Sequence, residues 1–122
     1  MSLKILDVGQ CGYDGPRMKR LFGEELGATV ETADTADVAR KKAASGQYDI
    51  VLVNRELNAD GSSGIDLIGD LRKAGVSTPL MLVSDYEDAQ DQAVANGAVR
   101  GFGKSALDDP ATLELIKAVA GV

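Results

Sequence analysis

The sequence contains no histidine and no tryptophan, and its single cysteine is Cys11. Without histidine, the Ser-His-Asp and Cys-His catalytic arrangements and every His-containing zinc site are excluded. A lone cysteine forms neither an internal disulfide nor a structural zinc site, which is compatible with a cytosolic location. Aromatic residues make up 4% of the chain, so base-stacking platforms for nucleic acid are not expected.

Long apolar runs and an excess of basic charge are also missing. No run approaches the roughly 20 residues needed to span a bilayer, and the N-terminus lacks the pattern of a signal peptide. The chain has 13 basic and 19 acidic residues, and the resulting net charge of −6 disfavours nucleic acid as a partner. We therefore expect a cytoplasmic protein that binds neither membranes nor nucleic acids.

The composition is that of one globular domain, which we expect to cover residues 1–122. Apolar residues form 44% of the chain and charged residues 26%, which are ordinary values for a folded domain. Five short apolar runs predict strands, at Lys4–Val8, Ala28–Thr32, Ile50–Val53, Leu80–Val83 and Val99–Phe102. The third and fourth runs are continuous, which is typical of strands buried on both faces of a parallel sheet.

Helical patterns separate these runs. An apolar stripe from Met18 to Leu26, followed by Gly27, predicts the first helix. Capping residues and glycines predict the others over Ala36–Ser45, Gly64–Ala74, Glu87–Asn96 and from Pro110 onward. Because strands and helices alternate, the sequence predicts a doubly wound α/β fold: a five-stranded parallel (βα)5 sheet in a flavodoxin-like three-layer sandwich. Functional side chains then lie beyond the carboxyl ends of the strands.

Four segments resemble the receiver domain of bacterial two-component response regulators, the CheY-like family. They are QYDIVLVN, SGIDLIGDLRK, PLMLVSD and NGAVRGFGKSALDDPATLELIKAV, and the resemblance covers essentially the whole chain. It implies a pocket with an acidic pair after the first strand, an aspartate after the third, a Ser or Thr after the fourth and a Lys after the fifth. In that family the aspartate accepts a phosphoryl group with the help of Mg²⁺.

Carried over position by position, this pocket keeps only Ser84 and Lys104. Asn54 stands at the phosphoacceptor position, and Gly9 and Gln10 stand at the acidic pair. An amide is not a carboxylate nucleophile, and Mg²⁺ loses the anionic oxygens that it prefers. We therefore predict a degenerate receiver, or pseudo-receiver, that is not an enzyme and holds neither a metal nor another cofactor.

Further positions depart from the family in ways that reshape the pocket. Gly101 replaces the aromatic residue of the fifth strand that couples to the Ser or Thr, and Ser105 replaces the proline after the lysine. Acids elsewhere are candidates to compensate. Asp7 lies inside an apolar run, where a carboxylate needs a partner. We expect Asp7, Asp14 or Asp85 to pair with Lys104 and to replace the missing acceptor electrostatically.

The resemblance also implies a partner surface formed by the last helices and the fifth strand, here Gln92–Asn96, Val99–Phe102 and the start of the last helix. Arg100 and Phe102 are its candidate anchors, because Arg and aromatic residues dominate interface hot spots. Packing of Phe102 in the core is an equally good interpretation. We expect a stand-alone receiver that signals through a histidine kinase or a downstream signalling protein, with a homodimer left open.

Two alternatives remain. The segment KILDVGQCGYDG resembles the glycine loop of S-adenosylmethionine-dependent methyltransferases, so Gly9–Gly15 would bind S-adenosylmethionine or a nucleotide, and GATVETAD would supply an acid for the ribose. We favour the simpler interpretation, in which Gly9, Gly12 and Gly15 are turn residues with positive φ. The second alternative is a receiver phosphorylated on an unexpected acid, such as Glu56 or Asp60.

Overall fold

The computed structural model describes residues 3–121, in which strands and helices alternate along the chain. The strands are β1 (Lys4–Val8), β2 (Thr29–Ala33), β3 (Ile50–Asn54), β4 (Leu80–Val83) and β5 (Val99–Phe102). The helices are α1 (Asp14–Leu26), α2 (Ala36–Ala44), α3 (Gly64–Lys73), α4 (Glu87–Ala95) and α5 (Pro110–Ala120), with a 3₁₀ turn at Lys104–Ala106. The predicted (βα)5 fold is confirmed. No helix within residues 3–121 is long and apolar enough to cross a membrane.

The strands form one parallel sheet in the order β2-β1-β3-β4-β5. The chain runs outward from β1 to β2 and then returns to β3 on the other side of β1. The point between β1 and β3 is therefore the topological switch point, where doubly wound sheets bind their ligands. Gly9 follows β1 and Asn54 ends β3, so both residues lie at this point.

Each face of the sheet is covered by its own apolar cluster. Leu6 and Val8 of β1 pack on one face with side chains of α2, α3 and α4. Ile5 packs on the other face with side chains of α1 and α5. Because side chains alternate along a strand, Asp7 lies on the same face as Ile5, beneath α1. A carboxyl group therefore occupies a core position in the central part of the sheet.

Helix boundaries follow from short-range hydrogen bonds. Thr35, Ser63 and Asp109 each accept a backbone N–H in the first turn of α2, α3 and α5, as N-cap residues do. Gly27 ends α1 in the left-handed conformation, with φ 63°. Three helices end one residue before the predicted position, because their last predicted residues are the C-caps Ser45, Ala74 and Asn96.

Strand boundaries differ from prediction at β2 and β3. β2 starts at Thr29 rather than at Ala28, because the N–H of Ala28 donates to the carbonyl of Phe22 at the end of α1. β3 extends by one residue to Asn54, which lies in register with Val83 of β4. This extension brings the Asn54 side chain to the edge of the sheet.

The ladder between β4 and β5 contains a bulge. Met81 lies opposite Val99, but Val83 lies opposite Phe102, so β5 has one more residue than β4 between these pairs. Gly101 lies within this extra stretch. A Cβ at Gly101 would approach the carbonyl oxygen of Leu82 to 2.1 Å, so the position accepts only glycine without movement of the backbone.

Candidate functional site at the carboxyl edge of the sheet

Asn54 joins two loops at the switch point. Its Nδ2 donates to the carbonyl of Gly9, 3.2 Å away, and to the carbonyl of Glu56, 2.8 Å away. Both partners are backbone carbonyls, which only accept, so they fix the amide with its nitrogen towards them. The side chain therefore acts as a donor at the position where the resemblance implies an anionic acceptor.

Gly9 allows these loops to approach closely. It adopts φ 77°, and a Cβ there would lie 2.6 Å from Cγ of Leu57, a fully buried side chain of the β3–α3 loop. Its carbonyl also accepts the N–H of Asn58 at 3.0 Å. The predicted positive φ is thus found at Gly9. It is wrong for Gly12 and Gly15, which have negative φ angles because they lie in the turn before α1 and in its first turn.

Lys104 forms an ion pair with Asp14, with 2.7 Å between Nζ and Oδ2. Asp14 is the first residue of α1, where the helix dipole favours negative charge. The hydrogen bond from Lys104 lowers the pKa of Asp14 despite the opposing effect of burial, and the Cys11 thiol, which donates to the same oxygen at 3.3 Å, lowers it further. Of the three acids expected to face Lys104, Asp14 is the one that pairs with it.

Asp85 has a different partner. Its carboxylate accepts from the hydroxyl of Ser105 and, at 3.4 Å, from the backbone N–H of the same residue. A Cβ at Gly103 would lie 1.7 Å from the Asp85 oxygen, so the chain passes very close to this carboxylate. Asp85 thus holds the turn that carries Lys104 rather than pairing with the lysine itself.

Asp7 is a buried carboxyl group, and within the described part of the chain neither of its oxygens has a partner in hydrogen-bonding geometry. Its exposed fraction is 1%. Burial raises the pKa of Asp7 from 3.8 to about 7, the Gln10 amide and the charge on Lys104 lower it, and the charge on Asp14 raises it. Gln10 lies close enough to favour the charged form, yet its own side-chain nitrogen and oxygen are buried without a partner in hydrogen-bonding geometry. Two unsatisfied polar groups therefore lie together beneath α1.

Ser84 lies in a cleft of about 310 Å³ above β3 and β4 that Asn54 and Lys104 also line. Its hydroxyl accepts the N–H of Tyr86 at 3.2 Å. Glu56 lines the same cleft, whereas Gly9 and Gln10 do not. We call this space the phosphoacceptor cleft. The structure thus places three of the five positions implied by the resemblance around one cavity, and the other two beside it.

The residues at this edge do not fit the Mg²⁺ that a receiver fold implies. At the two positions of the acidic pair, Gly9 has no side chain and Gln10 has a neutral amide. The side-chain nitrogen of Asn54 points towards two backbone carbonyls. Within the described part of the chain, no group of three or more His, Cys, Asp or Glu side chains is placed to hold a metal ion. Mg²⁺ requires hard, anionic oxygen ligands.

The two candidate anchors of the partner surface lie in different environments. Phe102 is 7% exposed and belongs to the apolar cluster shared with α1 and α5, so of the two interpretations left open by the sequence, packing in the core is the one found. The bulge in β5 directs it inward. Arg100 lies on the surface and forms ion pairs with Glu87 and Asp91 of α4.

Gln90 is a structural residue of this region that the sequence analysis missed. It is 4% exposed, donates to the carbonyls of Leu82 and Ser84 at 2.9 and 3.0 Å, and accepts the N–H of Gly101 at 3.0 Å. The Gln90 side chain therefore connects α4 by hydrogen bonds to the backbone at β4 and β5, and its bond to Gly101 lies at the bulge. The sequence carries no local signal for this role, because the backbone groups that Gln90 binds lie outside α4.

Comparison with known proteins identifies the fold. No protein-family model matches the chain, and no curated protein matches its sequence. The receiver domain of the Francisella response regulator 1452 superposes with a TM-score of 0.83 at 19% identity, over 98% of this chain and 97% of that one. The signal receiver domain of a DNA-binding response regulator from Colwellia psychrerythraea gives 0.79 at 18% identity, over 98% and 99%. The Vibrio cholerae chemotaxis protein CheY4 gives 0.77 at 18% identity, over the same shares. The chain has the fold of response-regulator receiver domains.

Asp7→Asn removes the buried titratable group with little change in shape. The folded protein holds the Asp7 proton up to a pH of about 7, whereas the unfolded chain releases it near 3.8. The folded state therefore binds more protons within this window, and the contribution of Asp7 to stability falls as the pH rises through it. For each unit by which the pH rises within this window, the unfolding free energy of the native protein should fall by up to about 1.4 kcal/mol relative to that of Asp7→Asn. Urea unfolding across the window measures this, and a difference that does not vary with pH would contradict it.

Asn54→Asp should lower the free energy of unfolding by about 2 kcal/mol at neutral pH, because it replaces two donated hydrogen bonds by repulsion between a carboxylate and two carbonyls. Asn58→Asp is the matched control, since Asn58 lies in the same loop with an exposed side chain that makes no hydrogen bond to residues 3–121. The control should change stability by less than about 0.5 kcal/mol. Equal losses in the two variants, measured by denaturant unfolding, would show that the Asn54 amide does not join the loops.

Proposed function

We propose that the chain is a receiver-like interaction module of two-component (phosphorelay) signalling, which acts through protein contacts without phosphorylation of an aspartate. The donor role of Asn54 carries this proposal. An acyl phosphate forms by attack of a carboxylate oxygen, and the Asn54 side chain instead donates to the carbonyls of Gly9 and Glu56.

The ion pair of Lys104 supports the same conclusion. In a working receiver, the lysine binds the transferred phosphoryl group. Here the Lys104 ammonium is held by Asp14, whose side chain is 16% exposed, so the charge of the lysine is already balanced. Binding of a phosphoryl oxygen would require this pair to separate.

The region that would transmit a phosphorylation signal is also fixed in place. The family pattern implies an aromatic side chain on the fifth strand that moves with the Ser or Thr, and Gly101 has neither a side chain nor room for one. Gln90 instead links α4 to the backbone of both neighbouring strands. We infer that the surface formed by α4 and β5 keeps one conformation and is available to a partner protein at all times.

This surface has features of a protein-binding site. β5 is the edge strand of the sheet, next to α4. Val94 of α4 and Val99 of β5 are 43% and 40% exposed, and Arg100 follows in the sequence with its two acidic partners. Arginine is enriched among the residues that dominate the binding energy of protein interfaces. The partner in this proposal is another signalling protein, such as a histidine kinase or a downstream component.

Phosphorylation on Glu56 is the second candidate function. Glu56 and Asp85 are the two acids that line the phosphoacceptor cleft with Lys104, and Asp85 is already held by Ser105. Asp60 is less suited, because its carboxylate accepts hydrogen bonds from the N–H of Ala36 at 3.1 Å and from Ser62 at 2.6 and 2.9 Å. Those bonds place Asp60 at the start of α2, away from the cleft.

Acetyl phosphate with Mg²⁺ distinguishes the two functions. The proposal predicts that the intact mass of the protein stays unchanged after incubation under conditions that phosphorylate an active receiver run in parallel. A stable gain of one phosphoryl mass would contradict it. Loss of that gain in Glu56→Gln, but not in Asp60→Asn, would then establish the second candidate.

A further inference from the structure

A second and larger cleft opens at the carboxyl edge of the sheet, with a volume of about 590 Å³. It lies between the start of α1, the ends of β1 and β2, and the tip of the β3–α3 loop. None of its lining residues belongs to the phosphoacceptor cleft. Its volume lies within the range of small-molecule sites, and it lies beside the topological switch point. We call it the β1–β2 cleft.

The β1–β2 cleft contains polar groups that have no hydrogen-bond partner among residues 3–121. Asp7 lies deepest, and both of its oxygens are unpaired although its exposed fraction is 1%. Gln10 lines the cleft as well, with its buried amide nitrogen and oxygen unpaired. Buried polar groups without partners cost free energy, and a ligand that supplies the missing hydrogen bonds recovers it. This pair of residues therefore indicates a site for a hydrogen-bonding molecule.

The outer part of the cleft is polar and has little positive charge. Thr32 lies near the end of β2 and Asp34 directly follows that strand, Asn58 lies opposite, and Lys19 of α1 is the single basic residue of the lining. Asp34 offsets the charge of Lys19, so the side chains of the cleft give an anionic group no net attraction. Gly12 and Gly15 leave the start of α1 open, because they carry no side chains.

We propose that the β1–β2 cleft binds a neutral or cationic nucleoside, with the donor and acceptor edge of its base at Asp7 and Gln10 and its hydroxyl groups at Thr32 and Asp34. A heterocyclic base presents the alternating donors and acceptors that a carboxyl group and an amide need in order to be satisfied together. At the outer part of the cleft, ribose hydroxyl groups can donate hydrogen bonds to the Asp34 carboxylate and exchange them with the Thr32 hydroxyl. This site is independent of the phosphoacceptor cleft, and it gives the glycine loop a role that the proposed signalling function does not use.

Amide NMR titration with adenosine, guanosine, cytidine, uridine and S-adenosylmethionine tests the proposal. At least one of these probes should cause saturable shifts at Gly12, Gly15, Thr32 and Ala59, and leave Ser84 and Lys104 unchanged. For a nucleoside that binds, its 5′-monophosphate should bind more weakly. The absence of saturable shifts with all five probes, or shifts confined to the phosphoacceptor cleft, would overturn the proposal.

Two variants connect the binding to the floor of the cleft. Asp7→Val should weaken binding of the successful probe by about tenfold or more, because it removes the deepest hydrogen-bonding group. Asp66→Asn, the matched control on α3, lies outside both clefts and should leave the affinity within about twofold. If Asp7→Val does not fold, Gln10→Leu replaces it, and its amide spectrum verifies the fold. Unchanged affinity in the folded variant would overturn the assignment. Neither result depends on phosphorylation, so failure here leaves the proposed signalling function standing.

Discussion

The two hydrogen bonds donated by Asn54 are the constraint on which the rest of the carboxyl edge depends. They connect the loop after β1 to the loop after β3, at the topological switch point where the order of the strands in the sheet reverses. The close approach also requires Gly9, because any side chain there would collide with buried Leu57. A carboxylate at position 54 would repel the carbonyls that the amide now binds. The amide that joins the two loops therefore also leaves position 54 without a carboxylate.

Around this constraint, several polar side chains of the carboxyl edge are paired within the protein. Lys104 is neutralised by Asp14, Asp85 holds the turn before α5, and Gln90 occupies the bulge between β4 and β5. Asp7 and Gln10 are the exceptions, because their polar side-chain atoms are buried without a hydrogen-bond partner among residues 3–121. A protein keeps such a group at a cost in stability. That cost is the physical reason for assigning a ligand to the β1–β2 cleft rather than to the phosphoacceptor cleft.

The sequence predicted the fold well because its signals are local and repeated. Apolar runs, N-caps and the glycine after α1 define each element within a residue or so. The resemblance then located Asn54, Ser84 and Lys104 near one another. The sequence was less informative where long-range contacts decide the outcome. Which acid reaches Lys104 depends on how α1 lies across the sheet. The burial of Phe102 depends on a bulge, and the role of Gln90 depends on carbonyls in two other elements.

The most direct test of the central claim is an amide NMR spectrum titrated first with Mg²⁺ and then with beryllofluoride. Beryllofluoride mimics an aspartyl phosphate and needs both a free carboxylate and a bound metal ion. Since Asn54 supplies no carboxylate and the residues at the edge do not fit Mg²⁺, the spectrum should show no saturable shifts at Asn54, Ser84 or Lys104. Saturable, Mg²⁺-dependent shifts at these residues would contradict the account and show that another acid has taken over the phosphoacceptor role.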